Sequence, residues 1–203
     1  MSRKSLACLM PLLAVIAFVV VPAAAQAAPH WYKKNVQVGA GHVTAATTGT
    51  LTIEALGAKI KCKVNDKEEI WNPASGGSGE DVMTGFALVK CKNTVASPGC
   101  PTGPLPVTAE NLPWRTLLVT VTTTPVTIRD EIFGVRLNVG CANSAGTTGD
   151  VFEGTLSPQV GNGDLIFGGP GGGTLFDPSL NPLTVTGKDN FKAPPGKITA
   201  KDP

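Results

Sequence analysis

The chain has 203 residues, 42% hydrophobic and 16% charged, with 24 glycines and 17 prolines. That composition excludes a coiled coil and argues against a helical bundle, and the glycines lack the three-residue period of collagen. A formal net charge of +2 gives no support for nucleic-acid binding.

Arg3 and Lys4 precede an almost unbroken apolar run from Leu6 to Val21, and Ala25-Gln26-Ala27 then fits an A-x-A cleavage site. Residues 1–27 read as a signal peptide cleaved after Ala27. The alternative is a retained membrane anchor, because the run is only slightly shorter than a span. Cleavage leaves fifteen basic and fifteen acidic residues, a formally neutral chain with no membrane span, destined for the cell envelope or the extracellular space.

Four cysteines remain: Cys62, Cys91, Cys100 and Cys141. An even number in an exported chain reads as two disulfides, with three connectivities possible. In Ile60-Lys61-Cys62-Lys63-Val64 the cysteine shares a face with Ile60 and Val64. In the run from Val135 to Cys141 it shares one with Val135, Leu137 and Val139. Two cysteines on apolar faces favour Cys62–Cys141, which leaves Cys91–Cys100 to close the polar loop Lys92 to Gly99. With no C-x-x-C, and with His30 and His42 remote in sequence, a zinc site has no support, and neither cofactor nor metal is expected.

After residue 27 the recurring unit is a short alternating run bounded by Gly, Pro, Asn or Asp, as expected of an all-β domain. Strands are predicted at Val36–Val38, Val43–Thr44, Thr50–Leu56, around Cys62, and at Asp81–Lys92. In the last of these, Phe86 and Leu88 oppose Ala87, Val89 and Cys91. The proline-rich stretch Pro98 to Pro106 reads as an irregular crossing and the best candidate for a domain boundary. Further strands follow at Leu117–Thr122, Val126–Ile132 and Val135–Cys141. A meander of Val151–Val160, Leu165–Phe167, Thr174–Phe176 and Leu183–Thr186 closes the domain, with Asn162-Gly163 as a hairpin turn. Gly-Thr-Leu recurs at Gly49, Gly154 and Gly173, each time read as opening a strand. The whole is a single β-sandwich or partly closed barrel over residues 28–187, with residues 188–203 as a loosely held tail.

The mature start Ala28-Pro29-His30-Trp31-Tyr32-Lys33-Lys34 resembles the opening of a group of exported actinobacterial proteins with no established activity. Asn111-Leu112-Pro113-Trp114, Phe152-Glu153-Gly154-Thr155-Leu156-Ser157-Pro158 and Leu183-Thr184-Val185-Thr186-Gly187 extend the likeness. The resemblance implies a secreted or envelope-associated protein and transfers no catalytic residue.

Catalytic motifs are absent from the sequence. No Gly-x-Ser-x-Gly occurs, and with the thiols paired there is no cysteine nucleophile. The acidic doublets Glu68-Glu69, Glu80-Asp81 and Asp130-Glu131 are candidates for glycoside hydrolysis, but neighbours on a strand face opposite ways, and pairs from different strands cannot be read from sequence. The loops Gly76 to Asp81 and Gly161 to Asp164 offer oxygens to calcium yet match neither the EF-hand nor the nonapeptide repeat, so they read as turns. The run Gly168 to Gly173 lacks the Gly-Lys-Ser/Thr ending and following helix of a phosphate cradle.

Two surface features remain. Lys59, Lys61 and Lys63 share one strand face, and Lys90 and Lys92 share another; if the strands are neighbours, the five form a patch for anionic wall polymer. Asp66, Glu68 and Glu69 are placed to neutralise it, and lysines that discourage edge pairing are the plainer explanation. Trp31, Trp71 and Trp114 are candidates for stacking on a sugar, against core or rim packing. The expectation is a non-catalytic binding or structural domain whose partner is a wall polymer or another envelope protein. A small wall-polysaccharide hydrolase and a disulfide-rich inhibitor-like module are the alternatives.

Overall fold

A computed structural model describes residues 28–123, 125–142, 148–192 and 196–202; the signal peptide and its cleavage residues Ala25 and Ala27 lie outside them. Among the described residues every regular element is a strand, and no helix is long and apolar enough to cross a membrane. The chain begins with β1 (His30–Lys33), β2 (Val36–Gln37), β3 (Val43–Ala55), β4 (Ala58–Trp71) and β5 (Glu80–Asn93). Next come the short β6 (Gly103–Pro104) and β7 (Val107–Glu110), then the long β8 (Trp114–Thr123), β9 (Val126–Ala142) and β10 (Thr148–Leu156). It ends with β11 (Gln159–Val160), β12 (Asp164–Phe167), β13 (Gly173–Phe176), β14 (Pro182–Lys192) and β15 (Ile198–Lys201).

The long strands pair antiparallel in a circuit, β3–β4–β5–β8–β9–β10–β13–β14, and β14 returns to β3. The ring is unevenly zipped. β3 and β4 pair from Val43 to Ala58, whereas β13 and β14 meet only at Leu175↔Leu183 and Phe176↔Pro182. This is the partly closed barrel of the two architectures expected. Closure gives every long strand a partner on each side over part of its length, and leaves β5 open between Met83 and Lys92.

Alternation sends one face of each strand inward. In β4 it holds over all fourteen residues, with Lys59, Lys61, Lys63, Asn65 and Lys67 outside. Trp114, Phe152, Phe191, Leu51 and Ile53 are among the largest side chains filling the ring. A small sheet of β15, β1 and β2 lies over one end, where Trp31 is fully buried and meets Phe191 edge-on at 5.4 Å. Asn72, just after β4, pins this cap. Its Oδ1 accepts from the Trp31 amide at 2.8 Å, and its Nδ2 donates to the Trp31 and Val38 carbonyls.

Four expectations need correction. Residues 188–203 are not a tail: Lys188–Lys192 completes β14 and Ile198–Lys201 pairs with β1. Pro98 to Pro106 is not a boundary either, because β6 pairs with β5 and Cys100 is buried within it. Of the Gly-Thr-Leu glycines only Gly173 opens a strand; Gly49 and Gly154 lie inside β3 and β10. Finally, the disulfides join Cys62 to Cys91 and Cys100 to Cys141. The cause is a β-bulge at Lys90, whose φ is 53°. Strict alternation puts Cys91 on the face opposite Phe86; the extra residue turns it inward, directly across from Cys62. The loop after β5 then folds over the ring and delivers Cys100 to the end of β9, held there by Asn93, whose Nδ2 donates to the Cys100 and Pro101 carbonyls.

Non-reducing tryptic digestion is expected to release Cys62-Lys63 joined to Cys91-Lys92; a fragment joining Cys62 to Cys141 would contradict the register. Replacing Cys62 and Cys91 together by alanine should lower folding stability by about 3 to 4 kcal/mol in a denaturant titration, from the 29-residue separation of the bond.

Candidate functional site

The parity that turns Ile60, Cys62 and Val64 inward on β4 continues through Asp66, Glu68 and Ile70. Asp81 from β5, Asp130 from β9 and Asp189 from β14 join them, and no more than 2% of any of these five acids is exposed. Their places follow from the pairing. Asp66 lies opposite Thr47 and Phe86, Glu68 opposite Met83, and Asp81 opposite Ile70 and Thr116. Asp130 lies opposite Leu118, and Asp189 opposite Gly49. A β-carbon at Gly49 would overlap the Asp189 carboxylate, so glycine is needed in the middle of β3.

One oxygen each from Glu68, Asp81 and Asp130 converge to within 4.8 Å of one another. Thr47 Oγ1 donates to Asp66 Oδ1. The Thr116 hydroxyl is near enough to ease the charge on Asp81 and Asp130, but falls short of hydrogen-bond geometry with either. Both carboxylate oxygens of Glu68 and both of Asp189 lack a hydrogen-bond partner. None of the five forms an ion pair among the described residues. Arg129, adjacent to Asp130 in sequence, faces outward and donates to the Ser157 and Pro170 carbonyls under the Gly168–Gly173 loop.

Burial therefore dominates the protonation of these groups. It raises Asp66 to about 6, Asp130 to about 7 and Asp189 to about 8. Glu68 and Asp81 go well above the carboxylate range, through burial first and then through the repulsion of Asp81 on Glu68 and of Asp130 on Asp81.

One member of each acidic doublet, Glu68, Asp81 and Asp130, thus meets inside the ring, while Glu69, Glu80 and Glu131 face away. The surface clefts at Glu54–Lys59, Ile128, Arg136 and Leu88 are lined by other residues. Carboxylates that work on a polysaccharide need a cleft wide enough for sugar between them. These acids have apolar neighbours instead, in Ile70, Met83, Leu118 and the Trp31 cap.

The lysines are brought together. β4 and β5 are neighbours, and Lys61 stands directly opposite Lys92 on the outer face. Lys63, Lys67 and Lys90 extend the patch, which continues across β3 to Lys188 and Lys192 on β14. Lys59 pairs with Glu54 at 2.7 Å and Lys188 with Asp164 at 2.7 Å. Lys61, Lys63, Lys67, Lys90 and Lys92 have no acid partner among the described residues. Asp66 and Glu68, expected to neutralise the patch, point to the interior; Glu69 is engaged with His42 Nδ1 at 3.1 Å.

The tryptophans are not brought together. Trp31 and Trp114 are buried, the latter tilted against Phe86 with Nε1 donating to the Glu110 carbonyl. Trp71 is only half-buried and is covered by a stacked His42, ring centroids 4.4 Å apart. The stacking platform is therefore corrected to core packing for Trp31 and Trp114. They occupy inward positions of their strands, where a large apolar surface is drawn from water. Of the two calcium-candidate loops, one has its acid, Asp164, tied to Lys188, and in the other Asp81 has turned into the ring while Glu80 faces away.

A raised folded-state pKa stabilises the fold below the unfolded value, near 4, and that stabilisation is lost as pH climbs through the folded value. For Asp66, Asp130 and Asp189 the loss runs from about pH 4 to about pH 8, and Glu68 and Asp81 act in the same direction. In the presence of a chelator the melting temperature should be higher at pH 5 than at pH 8, and Asp189→Asn should flatten that slope. A melting temperature that rises with pH over this range would refute the buried-acid interior. No protein-family model matches the chain, and no curated protein or solved structure is similar to it.

Proposed function

We propose that this is a non-catalytic β domain, exported to the cell envelope or beyond, whose lysine flank binds an anionic wall polymer. Several features of the chain support export. The first 27 residues have the organisation of a signal peptide. Two disulfides suit an oxidising milieu. The likeness to exported actinobacterial proteins points the same way.

The observation that carries binding is the Lys61–Lys92 pair. Like charges directly opposite each other destabilise a sheet. Lysine is common on edge strands, where it blocks unwanted pairing, but β4 is hydrogen-bonded on both sides, to β3 and to β5. Edge protection therefore does not explain Lys61 and Lys63, whereas Lys90 lies where β5 has no second strand partner. Concealment of acids adds to the effect: with five carboxylates inside the ring, and Asp177 and Arg129 buried elsewhere, the mature exterior carries fourteen basic against nine acidic residues. A chain that is formally neutral presents a positive surface, threonine-lined between the lysines at Thr50 and Thr52.

A phosphodiester or carboxylated polymer would lie along β4, taking charge from successive lysines two residues apart, about 7 Å. Retention on immobilised poly(glycerol phosphate) should be strong at low ionic strength and fall steeply as the screening length drops to about 10 Å at 0.1 M salt. Lys61→Glu combined with Lys92→Glu should abolish retention, while Lys201→Glu on the small sheet leaves most of it. Equal retention of all three proteins would sink the proposal.

A further inference from the structure

We infer that Glu68, Asp81 and Asp130 form the binding site of a single calcium ion sealed inside the barrel. This inference is independent of the lysine flank.

Three carboxylates from three different strands converge to within 4.8 Å, which is the span of a single coordination sphere. Two oxygens on opposite sides of calcium stand about 4.6 to 5.2 Å apart, from bond lengths of 2.3 to 2.6 Å. The second, independent observation is the state of Glu68. It is wholly buried, it is aimed at the other two acids, and neither of its oxygens has a hydrogen-bond partner. Buried carboxylates are normally paired or hydrogen-bonded, because removing them from water without compensation is strongly unfavourable. Here no lysine or arginine among the described residues supplies the compensation. Arg129, adjacent to Asp130 in sequence, is committed to the Ser157 and Pro170 carbonyls.

The donor set selects the ion. All three ligands are hard anionic oxygens, which suits magnesium, calcium or manganese and excludes soft-ligand metals. Magnesium keeps several waters and demands a compact octahedron. The site instead has Ile70, Met83 and Leu118 as cross-strand neighbours of its ligands, and it offers up to six carboxylate oxygens, so the larger and less hydrated calcium fits better. Thr116, beside Asp81 and Asp130, is placed to add a hydroxyl oxygen. The ion would link β4, β5 and β9, and so would span the junction of β5 with β8, where the ring is held by only the four pairs from Glu80 to Met83.

The test uses the disulfide-bonded protein, unfolded in denaturant with EDTA and refolded with or without calcium chloride, so that slow entry cannot hide the site. Wild type should retain one calcium per chain after desalting. Its melting temperature should rise by roughly 5 to 10 °C when calcium is a hundredfold above Kd. Glu68→Gln combined with Asp130→Asn should melt no lower than wild type in EDTA, because neutral amides replace buried carboxyl groups that no cation balances. Its affinity should fall by roughly a hundredfold or more as two anionic ligands are lost. Glu69→Gln, on the outer face of the same strand, should bind as wild type. Absence of retained calcium in folded wild type, tighter binding of magnesium or manganese than of calcium, or undiminished binding by the double variant would each overturn the inference.

Discussion

Five carboxyl groups enclosed by a ring of strands impose the constraint that the remainder of the fold must meet. An isolated buried carboxylate is expensive in a low-dielectric interior, and a cluster is worse because each ionised member penalises the next. Such a group can stay protonated, hold a cation, or drag water in and loosen the packing. The ring encloses these groups on all sides. Trp31 and the small sheet cover one end, with Asn72 tying the cap to β4 through three hydrogen bonds. Both disulfides lie toward the other end, since Cys62 precedes Asp66 on β4 while Cys91 and Cys141 follow Asp81 and Asp130 on β5 and β9. The acids are thus held between a hydrogen-bonded lid and a covalently fastened base, and protonation and cation binding compete for the same oxygens.

That enclosure also determines how the molecule looks from outside. Acids that would have neutralised the lysines are on the far side of the β4 backbone, less than one sheet thickness away but facing the ring. The segregation is a direct consequence of period-two geometry. Within Ala58 to Trp71 every inward position from Cys62 to Ile70 is apolar or acidic, and every outward position from Lys59 to Lys67 is lysine or asparagine.

Much of this was legible in the strand pattern, and the reasons for the rest are physical. Alternation around Cys62 correctly identified the inner face of β4. Extending the same parity by three more inward positions would have placed Asp66, Glu68 and Ile70 inside. What blocked the extension was the general rule that charged side chains stay exposed, a rule that fails where several acids are buried together. Convergence of Glu68, Asp81 and Asp130 was not legible, because it depends on β4, β5 and β9 meeting across a closed ring. The disulfide pairing was hidden for a different reason. Bulges on β5, one near Gly85 and one at Lys90, each invert which residues face inward, so alternation counted from Phe86 puts Cys91 on the wrong side. Nothing in the local composition marks the second: Lys90 is an ordinary lysine in a left-handed conformation that usually belongs to glycine or asparagine.

The Lys90 bulge connects the two faces of the sheet. By turning Cys91 inward it sets a covalent bond between β4 and β5 at the position immediately behind Lys61 and Lys92, whose ammonium groups repel each other on the outside. A hydrogen-bonded ladder alone would relieve that repulsion by fraying or slipping register there. A disulfide with its α-carbons 4.0 Å apart leaves neither option open. The inner face therefore carries the link that lets the outer face keep an unneutralised like-charged pair. A stable basic surface and an oxidising environment are then physically linked requirements, since reduction of Cys62–Cys91 would free the two strands to part where their charges push them apart.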